Sequence, residues 1–208
     1  MLVRRTSTLG LKRAMCEEML SPIEQRRARR ALSDRPVDRE TVETLLRAAH
    51  LAPSCANNQP WRLIAVDNPE TLNAVKEGLT RGNYWAGPAP LIIAVASRPD
   101  LDCEIPDSRE YFLFGCGLAA MNLMLQATKM GLIAHPIAGF RQQPVKEALE
   151  IPDDFTAITL IILGHPSGDL SGLSDKHREE EQGPRARNPI DTVACWNGFG
   201  FDNSEDRA

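Results

Sequence analysis

At 208 residues the chain is long enough for one large domain with its own core, and 42% hydrophobic and 25% charged residues is an ordinary globular composition. A formal net charge of −4 argues against a nucleic-acid binder, whose basic footprint normally dominates its domain. Cys16, Cys55, Cys103, Cys116 and Cys195 are odd in number and contain no C-x-x-C, and the four histidines are scattered. Free thiols in a reducing, cytoplasmic setting are expected, with no metal site.

Residues 1–20 carry Arg4, Arg5, Lys12 and Arg13 with no acid before Glu17, and are expected to be an N-terminal extension outside a single domain over 21–208. They lack the continuous apolar core of a secretory signal, and no apolar run in the chain reaches the ~18 residues of a membrane span. Ser21, Pro22 and Glu24 spell a helix start, which predicts a helix carrying the four arginines of RRARR, residues 26–30. On that helix Arg26 and Arg30 would lie one above the other with Arg27 beside them, converging on an anion.

Val42, Leu45, Leu46 and Ala49 then follow helical spacing up to Pro53. The stretch APSCANNQPW, residues 52–61, suits no regular element, and Leu63–Val66 reads as a strand. Asn68 and Pro69 cap a short helix using Leu72, Val75 and Leu79, and LIIAVA, residues 91–96, is a buried strand. Residues 108–130 are apolar nearly all round, which predicts a helix in the core or at a subunit interface, ended by Gly131. A short strand runs through LIAHPIAGF, residues 132–140, into a glycine turn, and a brief helix covers 144–149. The β-branched run 155–163 reads as the central strand. Residues 164–189 turn polar, and RARNP, 185–189, reads as non-regular chain. The tail from 190 to 208 holds Trp196, Phe199 and Phe201, aromatics expected to pack on something, with a second subunit as a candidate. Helices and strands alternate throughout, so the class is α/β-like or α+β.

Three segments carry the chemistry. The arginine run could bind an anion or be a solvated basic face. In PSCANNQPW, the amides of Asn57, Asn58 and Gln59 and the hydroxyl of Ser54 could edge a flat heterocycle, or bond only within the loop. In RARNP, residues 185–189, Arg185 and Arg187 could both reach a phosphate. The turn at Ala138 and Gly139 allows close backbone approach. Gly115, Gly117 and Ala120 match a dinucleotide fingerprint, G-x-G-x-x-A, but lie in a continuous helical pattern with no acid about 20 residues on, so close helix packing is the better account.

The order RRARRALSDRPV, APSCANNQPWRLIAV, PIAGF and RARNP resembles the FMN-dependent nitroreductase family over roughly residues 22–190. The resemblance implies an α+β fold with a central, mostly antiparallel sheet flanked by helices, and a homodimer holding two FMN at its interface. It places Arg26, Arg27, Ala28 and Arg30 against FMN, with Arg26 on the phosphate and Arg30 nearer the pyrimidine end. Pro53, Ser54, Cys55, Asn57 and Gln59 would reach FMN from the partner subunit, Ala138 and Gly139 would offer backbone N–H groups to the ring, and Arg185 and Arg187 would close on the phosphate. NADH or NADPH would be the hydride donor, a nitroaromatic or quinone the oxidant, and no side chain the catalyst. Ala28 stands where the family usually has serine, and Leu32 where it often has an aromatic. Only 97–107 separate the LIIAVA strand from the central helix, so any lid there is small.

Overall fold

The computed structural model describes residues 19–106 and 109–201. The expected N-terminal extension lies outside these residues except for Met19 and Leu20, as do the last seven residues of the tail. Two aliphatic strands form the middle of the fold. β2 (Leu91–Ser97) is buried along its whole length, and β4 (Thr156–Gly164) from Leu160 onward. They pair antiparallel from Leu91 opposite Leu163 to Ser97 opposite Thr156, with a bulge after Val95. β1 (Arg62–Val66) adds to β2 and β3 (Ile133–Ile137) adds to β4, both antiparallel, giving the order β1-β2-β4-β3.

Continuous apolar strands need cover on both faces, and alternation of side chains sends neighbours to opposite layers. Leu91, Ile93, Ile161 and Leu163 meet α2 (Arg39–His50) and α4 (Tyr111–Lys129) through Leu45, Ala49, Ala119, Leu123 and Ala127. Ile92, Ala94, Leu160 and Ile162 meet the other layer, built from α3 (Pro69–Glu77), α5 (Gln142–Ala148) and the 3-10 turn Arg81–Ala86, through Val75, Val145 and Trp85. The result is α+β, with a wholly antiparallel four-stranded sheet between two helical layers. Helix ends follow their residues. Asp38 accepts the N–H of Thr41, Asn68 accepts those of Glu70 and Thr71, and Gly131 takes φ +74° after α4.

Four expectations need correction. The helix at Ser21 is only α1 (Ser21–Gln25). Ser21 is inside it rather than capping it, and the chain leaves at Arg26 with ψ 126°. Long-range bonds hold the arginines extended: Glu181 accepts the N–H of Arg30 at 2.8 Å, Ala31 accepts from Ser167 at 2.8 Å, and Leu32 bridges Pro166. Crowding four cations into little more than one helical turn would also have cost repulsion. Second, the polar stretch after β4, where periodicity indicates no element, contains α6 (Asp175–Gln182), which has no apolar stripe to reveal it but begins at Ser174, whose Oγ accepts from His177 N–H. Third, Cys55 and Cys103 are not free thiols but bonded to each other across 48 residues. Among the described residues Cys116 and Cys195 remain unbridged. Fourth, α4, at 19 residues, is long and apolar enough by composition to cross a membrane, although one side of it is packed on α2 and the sheet. Its Gly115 lets the side chain of Pro60 approach, since an added Cβ would sit 3.3 Å from Pro60 Cγ. Of the two glycines in the failed dinucleotide motif only Gly115 serves close packing, against a loop proline rather than a helix; a Cβ at Gly117 would meet nothing.

Candidate functional site

The arginine strand runs between α1 and the sheet, and α6 decides which of its charges are spent. Arg29 Nη1 donates to the carbonyl of Glu181 at 2.9 Å and lies 3.5 Å from its carboxylate. Arg30 pairs with the Glu180 carboxylate at 2.6 Å, and Arg27 donates to the Glu180 carbonyl at 3.2 Å. Glu181 is only 6% exposed, and these arginine contacts are what make its burial tolerable.

Arg26 is different, because among the described residues no carboxylate pairs with it. Its neighbours are cations. Arg185 donates to the Arg26 carbonyl at 2.6 Å, to that of Ile23 at 3.4 Å and to that of Glu24, capping the open carbonyl end of α1 and drawing 183–189 against it. Burial first, then the Arg185 and Arg187 charges, push the Arg26 guanidinium below its ordinary pKa. Among the described residues Arg187 hydrogen-bonds within its own segment, at the carbonyl of Ala186. Arg26, Arg185 and Arg187 are close enough for their charges to oppose one another, and among the described residues no carboxylate pairs with any of them, so together they could hold a phosphate-sized anion. Ala28, between the two groups, is exposed.

The β3–α5 turn packs against the 3-10 turn Arg81–Ala86 and the residue before it. The Gly139 carbonyl accepts from Thr80 N–H at 2.9 Å, Thr80 Oγ1 at 2.9 Å and the Asn83 amide at 2.7 Å. No carbonyl of the described residues accepts from the N–H of Ala138 or Gly139. A Cβ at Gly139 would fall 2.5 Å from Asn83 Nδ2 and 2.7 Å from Thr80 Oγ1, so only glycine fits without displacing these donors. Gly139→Ala is expected to lower stability by about 1–3 kcal/mol, as overpacking usually does. Urea denaturation beside Ala138→Gly, which adds no atoms, measures it.

His135 on β3 ties the turn's strand to the arginines. It stacks on Trp85 with ring centroids 4.5 Å apart, and its Nδ1 lies 3.0 Å from the Arg29 carbonyl. A carbonyl can only accept, so the proton is on Nδ1. Burial is the main cause of a pKa lowered to about 4; the Arg29 carbonyl opposes it, Arg30 adds to it, Glu181 opposes it and Arg26 adds to it. The folded state therefore favours neutral imidazole. The stability this confers is fully present above pH ~6.5 and is lost as the pH falls towards 4, by about 3 kcal/mol in all. Denaturation midpoints of wild type and His135→Asn across that window should converge in acid.

The 53–59 loop stands apart. It bonds largely to itself: Ser54 Oγ accepts from Gln59 N–H at 2.9 Å, and Gln59 Nε2 donates to the Asn57 carbonyl at 2.7 Å. Ala56, Asn57 and Gln59 have positive φ. Among the described residues no hydrogen bond joins Pro53, Ser54, Cys55, Asn57 or Gln59 to the arginine strand. The sequence reading missed Glu180 and Glu181; their place beside RARNP, another charged segment, was the available signal.

The Nitroreductase family profile matches residues 23–81 and 75–165. A protein of Archaeoglobus fulgidus named NADH dehydrogenase/NAD(P)H nitroreductase is 32% identical over 154 residues, covering 72% of this chain and 86% of that protein. The FMN reductase [NAD(P)H] of Bacillus subtilis is 28% identical over 166 residues, 72% of this chain and 66% of its own. A solved structure described as an oxidoreductase containing FMN superposes with a TM-score of 0.77 at 32% identity, covering 89% of this chain and 96% of that one. With the profile spanning most of the chain and the fold shared across its length, the chain belongs to the nitroreductase family.

Proposed function

We propose that the chain is an FMN-dependent oxidoreductase that takes hydride from NADH or NADPH and passes the electrons to a nitroaromatic, a quinone or a similar small oxidant. The uncompensated positive charge of Arg26 beside Arg185 and Arg187 is the observation that carries this reading, because FMN brings a phosphate dianion of matching size. Bound FMN would supply the two-electron chemistry.

The chain's own residues bind and orient. Arg26 and Arg187 would hold the phosphate, with Arg185 fixing the strand that presents them. Arg27, Ala28 and Arg30 would line the side towards the ring, and part of the Arg30 charge is already answered by Glu180. The unspent N–H groups of Ala138 and Gly139 would face the ring edge, held in place by the donors on the Gly139 carbonyl. Pro53, Ser54, Cys55, Asn57 and Gln59 would complete the site from a second copy, since in one chain they are not bonded to the arginine strand. A homodimer, with the tail of the 21–208 domain on its partner and a cytoplasmic location, belongs to the same reading. It asks for no side-chain nucleophile: Cys55 is bridged, and burial pushes the Cys116 thiol up to about 11.

The absorbance spectrum of the purified protein, followed by anaerobic addition of NADH or NADPH, tests this. Flavin bands that bleach and return on adding a quinone are expected. A colourless protein that takes up no FMN would overturn the proposal.

A further inference from the structure

The Cys55–Cys103 bridge joins the loop before β1 to the segment after β2, which the β1–β2 pairing brings side by side and where Ser97 Oγ donates to the Pro60 carbonyl at 2.8 Å. Cys55 opens a 3-10 turn, Cys55–Asn57, in the loop before β1, and Cys103 lies just after the turn Pro99–Leu101 that follows β2. The loop is conformationally costly. Ala56, Asn57 and Gln59 have φ of 46°, 57° and 52°, and a side chain disfavours this left-handed region. Such backbone persists only where its surroundings over-determine it. Asn57 N–H donates to the Ser54 carbonyl at 3.2 Å and Asn58 N–H to the Cys55 carbonyl at 2.9 Å, both within the loop. Among the described residues, the side-chain tie from 53–59 to the other segment beyond the bridge is the Asn58 amide, 3.5 Å from both Asp102 Oδ1 and Cys103 Sγ. Both cysteines are partly exposed.

We propose that Cys55–Cys103 is a thiol-exchange site, opened by an external dithiol, that latches the 53–59 loop in its left-handed form. A reductant thiolate attacks one sulfur and forms a mixed disulfide, and the departing cysteine thiolate takes a proton. The second reductant thiol then displaces the other cysteine. Two electrons and two protons pass to the protein, and the dithiol leaves as a disulfide. With the bridge open, Ala56 and Asn57 are released to relax to negative φ. The consequence for the cofactor rests on the proposed function: if the loop contacts FMN, opening the latch loosens FMN.

The test equilibrates the holoprotein with oxidised and reduced dithiothreitol, maps thiols by alkylation and mass spectrometry, and follows amide hydrogen exchange over 53–59 and the FMN dissociation rate by flavin fluorescence. Expected is reversible masking of Cys55 and Cys103 together. On reduction, exchange in the loop should be about tenfold faster, and FMN release faster by a similar factor. Cys55→Ser with Cys103→Ser should behave as the reduced form whatever the reductant. Alkylation of both cysteines in the oxidised sample, or loop exchange indifferent to the redox state, would overturn the latch. A loop that loosens while FMN release stays constant upholds the latch and overturns instead the assignment of this loop to the cofactor.

Discussion

Arg26→Ala is expected to weaken FMN binding about 10- to 100-fold, the scale of a lost charge-assisted hydrogen bond to phosphate. Arg26 stands out because its neighbours are Arg185 and Arg187, whereas Arg29 and Arg30 already have Glu181 and Glu180. The opposite signature is expected from Arg29→Ala, which leaves the buried Glu181 carboxylate short of a partner and so lowers stability. Removing Arg26 relieves repulsion and should leave the apoprotein as stable as wild type or slightly more so. Fluorescence titration of apoprotein with FMN, paired with urea denaturation, separates the two. Equal dissociation constants for wild type and Arg26→Ala would end the phosphate assignment.

Trp85→Ala should have the largest effect on stability, about 3–5 kcal/mol for the loss of a buried indole. Trp85 is 4% exposed among Ile92, Ile162 and Val145, stacks on His135 and lies beneath Arg30, whose guanidinium is 6.0 Å from its ring. The gap left behind would admit water to the imidazole and relieve the desolvation that holds its pKa near 4. The variant should therefore lose stability at pH 7 but show a flatter decline towards pH 4.5 than wild type. Trp85→Phe should recover most of both. If the acid limb of Trp85→Ala is as steep as that of wild type, the His135 ring is kept neutral by something other than this stack.

The sheet was readable because buried strands demand unbroken aliphatic runs, as in LIIAVA and 155–163, and because Asp38, Asn68 and Gly131 mark helix ends by local chemistry alone. The arginine segment was misread where local and distant forces disagree. Ser21, Pro22 and Glu24 favour a helix start, but the hydrogen bond of Arg30 to Glu181 and the pairing of Ala31 and Leu32 with residues beyond β4 act from more than 130 positions away. α6 escaped for the opposite reason. It packs through a charge pair rather than an apolar stripe, so periodicity had nothing to report. The Cys55–Cys103 bond joins two loops, and no spacing rule encodes which loops meet. For the candidate site, the residues that gather on one chain, Arg26, Arg185 and Arg187, were the ones whose chemistry demanded a shared partner.

α4 leaves Leu113, Phe114 and Met121 exposed, and Leu20, Ile23 and Leu51, which line a groove with Leu125 of the same helix, are exposed as well. A greasy face of this kind makes folding and self-association a single event when two copies meet there. The thermal midpoint should then climb with protein concentration, each tenfold increase adding about 1.4 kcal/mol per associated pair. A scan from micromolar to near-millimolar protein reads this directly, and an unmoving midpoint would mark the chain as self-sufficient.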